Sequence, residues 1–172
     1  TAEVIAEAIS EVMKAFPWPK SMKFGEGEKT QRWVRPIQRL LCVFGGDVVP
    51  VEVFGLTASN VTEGHRRMGR GPFTVSNYTE YQAVLEGEGH VLLDRAAREA
   101  LILEGARQVC TDAGFELVED AGLLTEVAGL VEWPEPVLGK MEPDFLDLPP
   151  EVITLTMKTH QKYFAVRDPK TG

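Results

Sequence analysis

The sequence predicts an α+β fold: a mixed, largely antiparallel sheet with flanking helices. Strand-like and helix-like segments alternate irregularly, unlike the regular alternation of a doubly wound α/β protein. Two apolar runs, about 33–44 and 48–56, are joined by Gly45-Gly46-Asp47, which is typical of a hairpin turn. The 172 residues are 44% hydrophobic and 26% charged, which is the composition of a soluble globular domain.

The first predicted element is an amphipathic helix over 2–15, where apolar residues recur at helical spacing. Pro17 and Pro19 follow it and prevent its continuation. Residues 22–31 are polar and contain glycine, so we expect a loop before the two strands of the hairpin.

The later helices are predicted from residues that favour helix ends. Three caps and the helices that they begin are Asn77 before 78–86, Asp94 before 95–112 and Asp120 before 121–130. Pro149-Pro150 begin a last helix that extends to about Gln161. Further strands are expected at 73–75, 90–94, 115–118, 131–139 and 163–168.

Charge and cysteine content restrict the function classes. The net charge of −8 excludes a globally basic nucleic-acid-binding protein, although a local basic surface is still compatible. Cys42 and Cys110 form no CxxC motif, and no apolar run approaches the length of a membrane span, so we expect a reduced, cytoplasmic protein. The predicted organisation is a leading helix and linker over 1–20 and one module over 21–172, excised from a longer chain.

The motifs of self-contained active sites are absent from the sequence. His65, His90 and His160 have no metal-ligand spacing, and there is no phosphate-binding glycine loop or nucleophile elbow. We therefore assign no catalytic residue, no metal site and no cofactor to this segment.

The first candidate binding cluster is GHRRMGRG, residues 64–71, which we call the arginine loop. Its glycines allow a ligand to approach the backbone closely, and arginine forks match phosphate oxygens. The candidate RNA-binding residues are His65, Arg66, Arg67 and Arg70. A solvated turn with no ligand is the alternative.

The second candidate cluster lies at the end of the last predicted helix. Its members are Lys158, His160, Gln161, Lys162 and Tyr163. The two lysines are four residues apart and share a helix face, and an outward tyrosine could stack on a base. The alternative is structural, because cations at a helix C-terminus complement its dipole and most aromatic residues belong to a core.

A third group of cations consists of Lys29, Arg32, Arg35 and Arg39. If a strand passes through this region, Arg32 and Arg35 point to opposite faces. The group therefore does not form a single basic stripe.

Several strings resemble the beta chain of bacterial heterotetrameric glycyl-tRNA synthetase. They occur in order over nearly the whole sequence: WPKSMKFG (18–25), RWVRPIQRLLCVFGGDVVPVEVFGL (32–56), TEGHR (62–66), LLTEVAGLVEWPEPVLG (123–139) and FLDLPPEVITLTMKTHQKYFAVRD (145–168). The sequence departs from that family's pattern at Glu63, where an arginine is usual, and at Arg67, where an aromatic residue is usual.

The resemblance implies a fold and a set of partners. The fold would resemble the editing domain of the phenylalanyl-tRNA synthetase beta chain, without its hydrolytic activity, for which no equivalent residue is identifiable. The implied partners are glycine tRNA, the alpha subunit and the rest of the beta chain, with no DNA and no membrane. The alpha subunit would use ATP and Mg²⁺ to attach glycine.

Three functions follow for this segment. It is a tRNA-binding module that positions the acceptor arm, a scaffold between subunits or domains, or an editing domain for mischarged tRNA. We rank them in that order, and in the third His65 or His160 would be the candidate for orienting water.

Overall fold

A computed structural model describes residues 1–25 and 30–171. The α+β class is confirmed, with helices and short antiparallel two-stranded ladders. The chain divides into two compact units, Thr1–Gly89 and His90–Gly172, and each is described by itself. The leading helix packs within the first unit. The predicted organisation into 1–20 and 21–172 stays a prediction.

The first unit begins with helix α1 (Ala2–Ala15), and its described residues continue as four ladders. Their strands are β1 (Met22–Phe24) with β2 (Gln31–Trp33), β3 (Val43–Phe44) with β4 (Asp47–Val48), β5 (Glu52–Val53) with β6 (Leu56–Thr57), and β7 (Val61–Thr62) with β8 (Phe73–Thr74). One parallel bridge joins Leu41 to Ser59.

The core of the first unit lies between α1 and the middle ladders. Its buried residues are Val49, Val51, Val53 and Ala58. The inward face of α1 supplies half-buried Ile5, Ile9 and Met13, which pack against these valines as the helical spacing predicts.

Helix α2 (Tyr78–Glu86) closes the first unit. The Asn77 side chain accepts a hydrogen bond from the Glu80 backbone N–H at 2.9 Å, so the predicted cap is confirmed. The Glu80 carboxylate in turn accepts from the Ser76 backbone N–H, which lowers the pKa of that carboxyl.

The second unit is built around two packed helices, α3 (Arg95–Asp112) and α4 (Ala121–Ala128). Asp94 and Asp120 cap them as predicted. The shared core is Ile102, Ala106, Cys110, Leu123 and Ala128. Strand β9 (Glu116–Leu117), helix α5 (Pro150–Thr156), a π-turn over Met157–Gln161 and strand β10 (Val166–Arg167) complete this unit, with β10 antiparallel to β9.

The strand predictions were less accurate than the helix predictions. The turn at Gly45-Gly46 is confirmed, but the two long strands are not, since the chain forms short ladders interrupted near Pro36 and Pro50. Residues 90–94 and 131–139 form no strand. The prediction of a loop over 22–31 is wrong at both ends of that range, because 22–24 form β1 and residue 31 begins β2, with which β1 pairs.

The expected single mixed sheet is also wrong, because the described residues form five separate two-stranded ladders. The kinship with the phenylalanyl-type editing domain stays a prediction. Among the described residues, no helix is long and apolar enough to cross a membrane.

Candidate nucleic-acid interface

The arginine loop is held against the segment that follows α2. The His65 backbone N–H donates to the Gly89 carbonyl at 2.6 Å, and the Arg70 N–H donates to the Glu88 carbonyl at 2.8 Å. Within the loop, the Gly69 N–H donates to the His65 carbonyl at 2.9 Å. The backbone of the loop is therefore fixed at both ends.

The His65 side chain organises the inside of the loop. Its Nδ1 accepts hydrogen bonds from the backbone N–H groups of Arg67 at 3.3 Å and Met68 at 3.1 Å. Nδ1 must therefore be unprotonated in this arrangement, which leaves the proton of the neutral ring on Nε2. His65 is half-buried and shapes the loop, whereas the three arginines are exposed.

Two glycines allow the loop to approach Gly89 closely. A Cβ built on Gly64 would lie 2.4 Å from the Gly89 backbone, and one built on Gly69 would lie 2.1 Å from the Gly89 oxygen. Neither position has room for a side chain, so these glycines are required by packing.

The three arginines of the loop are exposed. Over residues 1–25 and 30–171, none of Arg66, Arg67 and Arg70 forms an ion pair. The neighbouring acid Glu63 pairs with Arg39 at 2.5 Å. The loop therefore presents concentrated positive charge on a fixed backbone.

The second candidate cluster lies where α5 ends. The π-turn stops at Lys162, which adopts a left-handed conformation with φ of 59°, and the Tyr163 N–H donates to the Met157 carbonyl at 3.1 Å. His160, Gln161 and Tyr163 are exposed. This exposure is compatible with stacking on a base and does not support the burial expected of a purely structural role.

Both lysines of this cluster pair with acids of α4 or its cap. Lys158 Nζ contacts the Asp120 carboxylate, and Lys162 Nζ lies 2.8 Å from Glu126 Oε1. The Lys158 ammonium is the largest cause that lowers the pKa of Asp120, followed by the Leu123 backbone N–H. The lysine charges are thus neutralised within the second unit, so this cluster offers less positive charge than the sequence suggests.

The two candidate clusters belong to different units. Of the third group, Lys29 lies outside the described residues, Arg39 is paired with Glu63, and Arg32 is exposed on β2. Lys23 on β1, which was not among the predicted candidate residues, pairs in register with Arg32. The alternation of MKF (22–24) and QRW (31–33) is the signal that could have revealed this hairpin.

No group of His, Cys, Asp and Glu able to hold a metal ion occurs among the residues that the structure describes. The exposed guanidinium groups of the arginine loop have the geometry for paired hydrogen bonds with phosphate oxygens. The backbone N–H groups of His65, Arg67, Met68, Gly69 and Arg70 already donate within the first unit.

Comparison with known proteins gives one consistent family. The model of the glycyl-tRNA synthetase beta subunit family matches residues 1–172. The chain is similar to glycine–tRNA ligase beta subunits of Phenylobacterium zucineum, 54% identical over 173 residues, and of Paracoccus denitrificans, 47% identical over 175 residues. These matches cover 100% and 99% of the chain but 25% of each relative. The chain therefore spans about a quarter of the length of these curated relatives.

Proposed function

The chain belongs to the glycyl-tRNA synthetase beta subunit family, and we propose that this segment is a non-catalytic module that binds and positions glycine tRNA. The alpha subunit would carry out the ATP- and Mg²⁺-dependent attachment of glycine, in the cytoplasm. This segment would contribute binding free energy and orientation to that reaction.

The observation that carries the proposal is the arginine loop. Three exposed arginines without acidic partners in the described chain stand on a backbone fixed by Gly64, Gly69 and Gly89. Arginine forks form paired hydrogen bonds with phosphate oxygens, and a fixed loop loses little conformational entropy on binding. Because the family is that of a tRNA synthetase subunit, the phosphate-bearing ligand that best fits this arrangement is the RNA backbone.

The lysines of the second unit contribute less to this proposal. Because Lys158 and Lys162 are already neutralised, counterion release at their positions would be small. Exposed His160, Gln161 and Tyr163 stay candidates for contact with bases.

A structural role is the second candidate, and it applies to the second unit. The two ion pairs join the segment after α5 to α4 and its cap, and several large apolar side chains between residues 137 and 155 are exposed. They are Val137, Phe145, Leu146, Leu148, Val152 and Leu155. Such a surface suits contact with another part of the beta chain or with the alpha subunit.

The experiment measures affinity for glycine tRNA in the holoenzyme with a full-length beta chain. The Arg66→Gln/Arg67→Gln/Arg70→Gln variant removes three positive charges, and Lys14→Gln/Lys140→Gln/Lys170→Gln is the matched control on exposed sites. If three phosphate contacts are lost, the slope of log affinity against log salt should become shallower by about 2 to 3. Equal slopes for the two triple variants would refute the proposal.

A further inference from the structure

The hairpin of β1 and β2 places two cations directly opposite each other. Lys23 pairs in register with Arg32, between the pairs Met22–Trp33 and Phe24–Gln31. Because side chains alternate along a strand, Lys23 and Arg32 share one face of the hairpin and Trp33 points to the other. Both cations are exposed, and neither forms an ion pair in the part of the chain that the structure describes.

The opposite face of the hairpin is supported by an aromatic cluster. The Trp33 ring lies 5.0 Å from Trp18 and 5.8 Å from both Phe16 and Phe54, measured between centroids. The Phe24 ring lies 6.0 Å from Phe54. The cations therefore stand on a hairpin whose position is determined by packing, so a ligand does not have to order it.

Like charges directly opposite each other destabilise a strand pair. The local sequence strengthens this observation, because residues 17–46 contain six basic and two acidic residues although the whole chain has a net charge of −8. Two further exposed cations flank the open end of the hairpin, Lys20 before β1 and Arg35 after β2. By contrast, Arg39 is paired with an acid of its own unit. A supported cation pair that no acid of residues 1–25 and 30–171 neutralises is the arrangement that a bound anion would stabilise.

We propose that the outward face of this hairpin, centred on Lys23 and Arg32, binds the phosphodiester backbone of an RNA. It is a second contact in the first unit besides the arginine loop. The Arg32 guanidinium would form paired hydrogen bonds with one phosphate, and the Lys23 ammonium would act beside it as a point charge. This inference rests on the proposed function in one respect, which is that the RNA is the tRNA of this synthetase.

The test uses the holoenzyme and glycine tRNA, titrated at several salt concentrations. The Lys23→Gln/Arg32→Gln variant should bind about threefold to tenfold more weakly near physiological salt, with a salt slope shallower by about 1 to 2. The matched control, Lys140→Gln/Lys170→Gln, removes the same charge from exposed sites of the second unit and should change affinity by less than about twofold. Equal behaviour of the two variants would overturn the inference.

Charge exchange separates a binding role from a structural one. Lys23→Arg/Arg32→Lys keeps both charges and should retain affinity within about twofold. Arg32→Glu creates an opposite-charge cross-strand pair, which should support the hairpin, yet it should weaken tRNA binding at least as much as the glutamine variant. Wild-type affinity in Arg32→Glu would contradict the inference even if every variant folds.

The arginine-loop variant distinguishes this inference from the proposed function. If the loop variant weakens binding and the hairpin variant does not, only the hairpin assignment fails. If neither weakens binding, both fail. If the hairpin variant instead loosens assembly with the alpha subunit at unchanged tRNA affinity, the anion is an acidic protein surface and the inference is overturned.

Discussion

A Cβ on Gly69 would lie 2.1 Å from the carbonyl oxygen of Gly89, so the arginine loop and the segment after α2 touch backbone to backbone. At this distance an added side chain forces the two segments apart. The hydrogen bonds from His65 and Arg70 to the same segment depend on this close approach. The shape of the cationic surface is therefore determined by residues that carry no charge.

Gly69→Ala should open the arginine loop. We expect the free energy of local opening to fall by about 1–3 kcal/mol, because the methyl group overpacks a backbone contact. Hydrogen exchange of the His65 and Arg70 amides in the full-length beta chain measures this, together with tRNA affinity, which should also fall. Gly139→Ala is the control, since nothing lies within 4 Å of its Cβ position. Unchanged exchange in Gly69→Ala would contradict the described packing.

Lys158→Gln/Lys162→Gln should leave tRNA affinity within about twofold of wild type, because both lysines are neutralised by Asp120 and Glu126. Amide exchange over 157–163 should become faster, since the contacts with α4 are lost. Fluorescence titration with tRNA and hydrogen exchange on the same preparation give both quantities. A loss of affinity as large as that of the arginine-loop variant would contradict this prediction and show that the second unit contacts the RNA as well.

The backbone amides at the start of α4 should lose protection from hydrogen exchange at acidic pH. The pKa of Asp120 is lower in the folded protein, chiefly because of Lys158 and then the Leu123 backbone N–H. Its contribution to stability is therefore fully present above the unfolded pKa of about 3.9 and is lost as pH falls through the lower folded value. Exchange of the 120–128 amides between pH 6 and pH 3 measures this.

An Asp120→Asn variant should show a weaker pH dependence over the same range, because the amide can still cap the helix but carries no charge. Asp144→Asn, at an exposed site, should behave like wild type. Identical pH profiles for Asp120→Asn and wild type would remove the titration of Asp120 as the cause.

Leu123→Ala should destabilise the packing of α3 against α4. Leu123 is 2% exposed, and truncating a buried leucine costs about 2–5 kcal/mol through lost burial and a residual cavity. The slowest-exchanging amides of α3 report this loss. Leu130→Ala removes the same atoms from a residue that is 65% exposed, and it should change stability by no more than about 0.5 kcal/mol. Equal effects would indicate that these helices do not share a core.

Helix starts could be predicted from sequence because their causes are local. Asn77, Asp94 and Asp120 each lie directly before a helix, and the side chain of each accepts a hydrogen bond from the backbone N–H three residues further on. Strand lengths could not be predicted in this way, because they depend on partners. Residues 90–94 have an apolar centre at 91–93 and strand character, but they pair with no strand among the described residues.

The positions of the cationic clusters were visible in the sequence, whereas their state of pairing was not. Lys158 and Asp120 are far apart along the chain, so only the folded arrangement shows that one neutralises the other. The position of Lys23 opposite Arg32 was likewise not visible in the sequence, because the polar residues and glycines of 22–31 predicted a loop in place of β1. The cationic residues in the sequence thus indicated a phosphate-bearing ligand. Only the ion pairs in the structure showed which of these charges are neutralised and which are exposed.

The glycine packing beneath the arginine loop has a practical consequence for protein engineering. Gly64, Gly69 and Gly89 allow the close backbone contact, while residues 66, 67, 68 and 70 are exposed. A combinatorial library can therefore randomise these four positions while the three glycines are kept. Selection for altered nucleic-acid preference would then change the side chains that contact the ligand and leave the backbone packing of the loop intact.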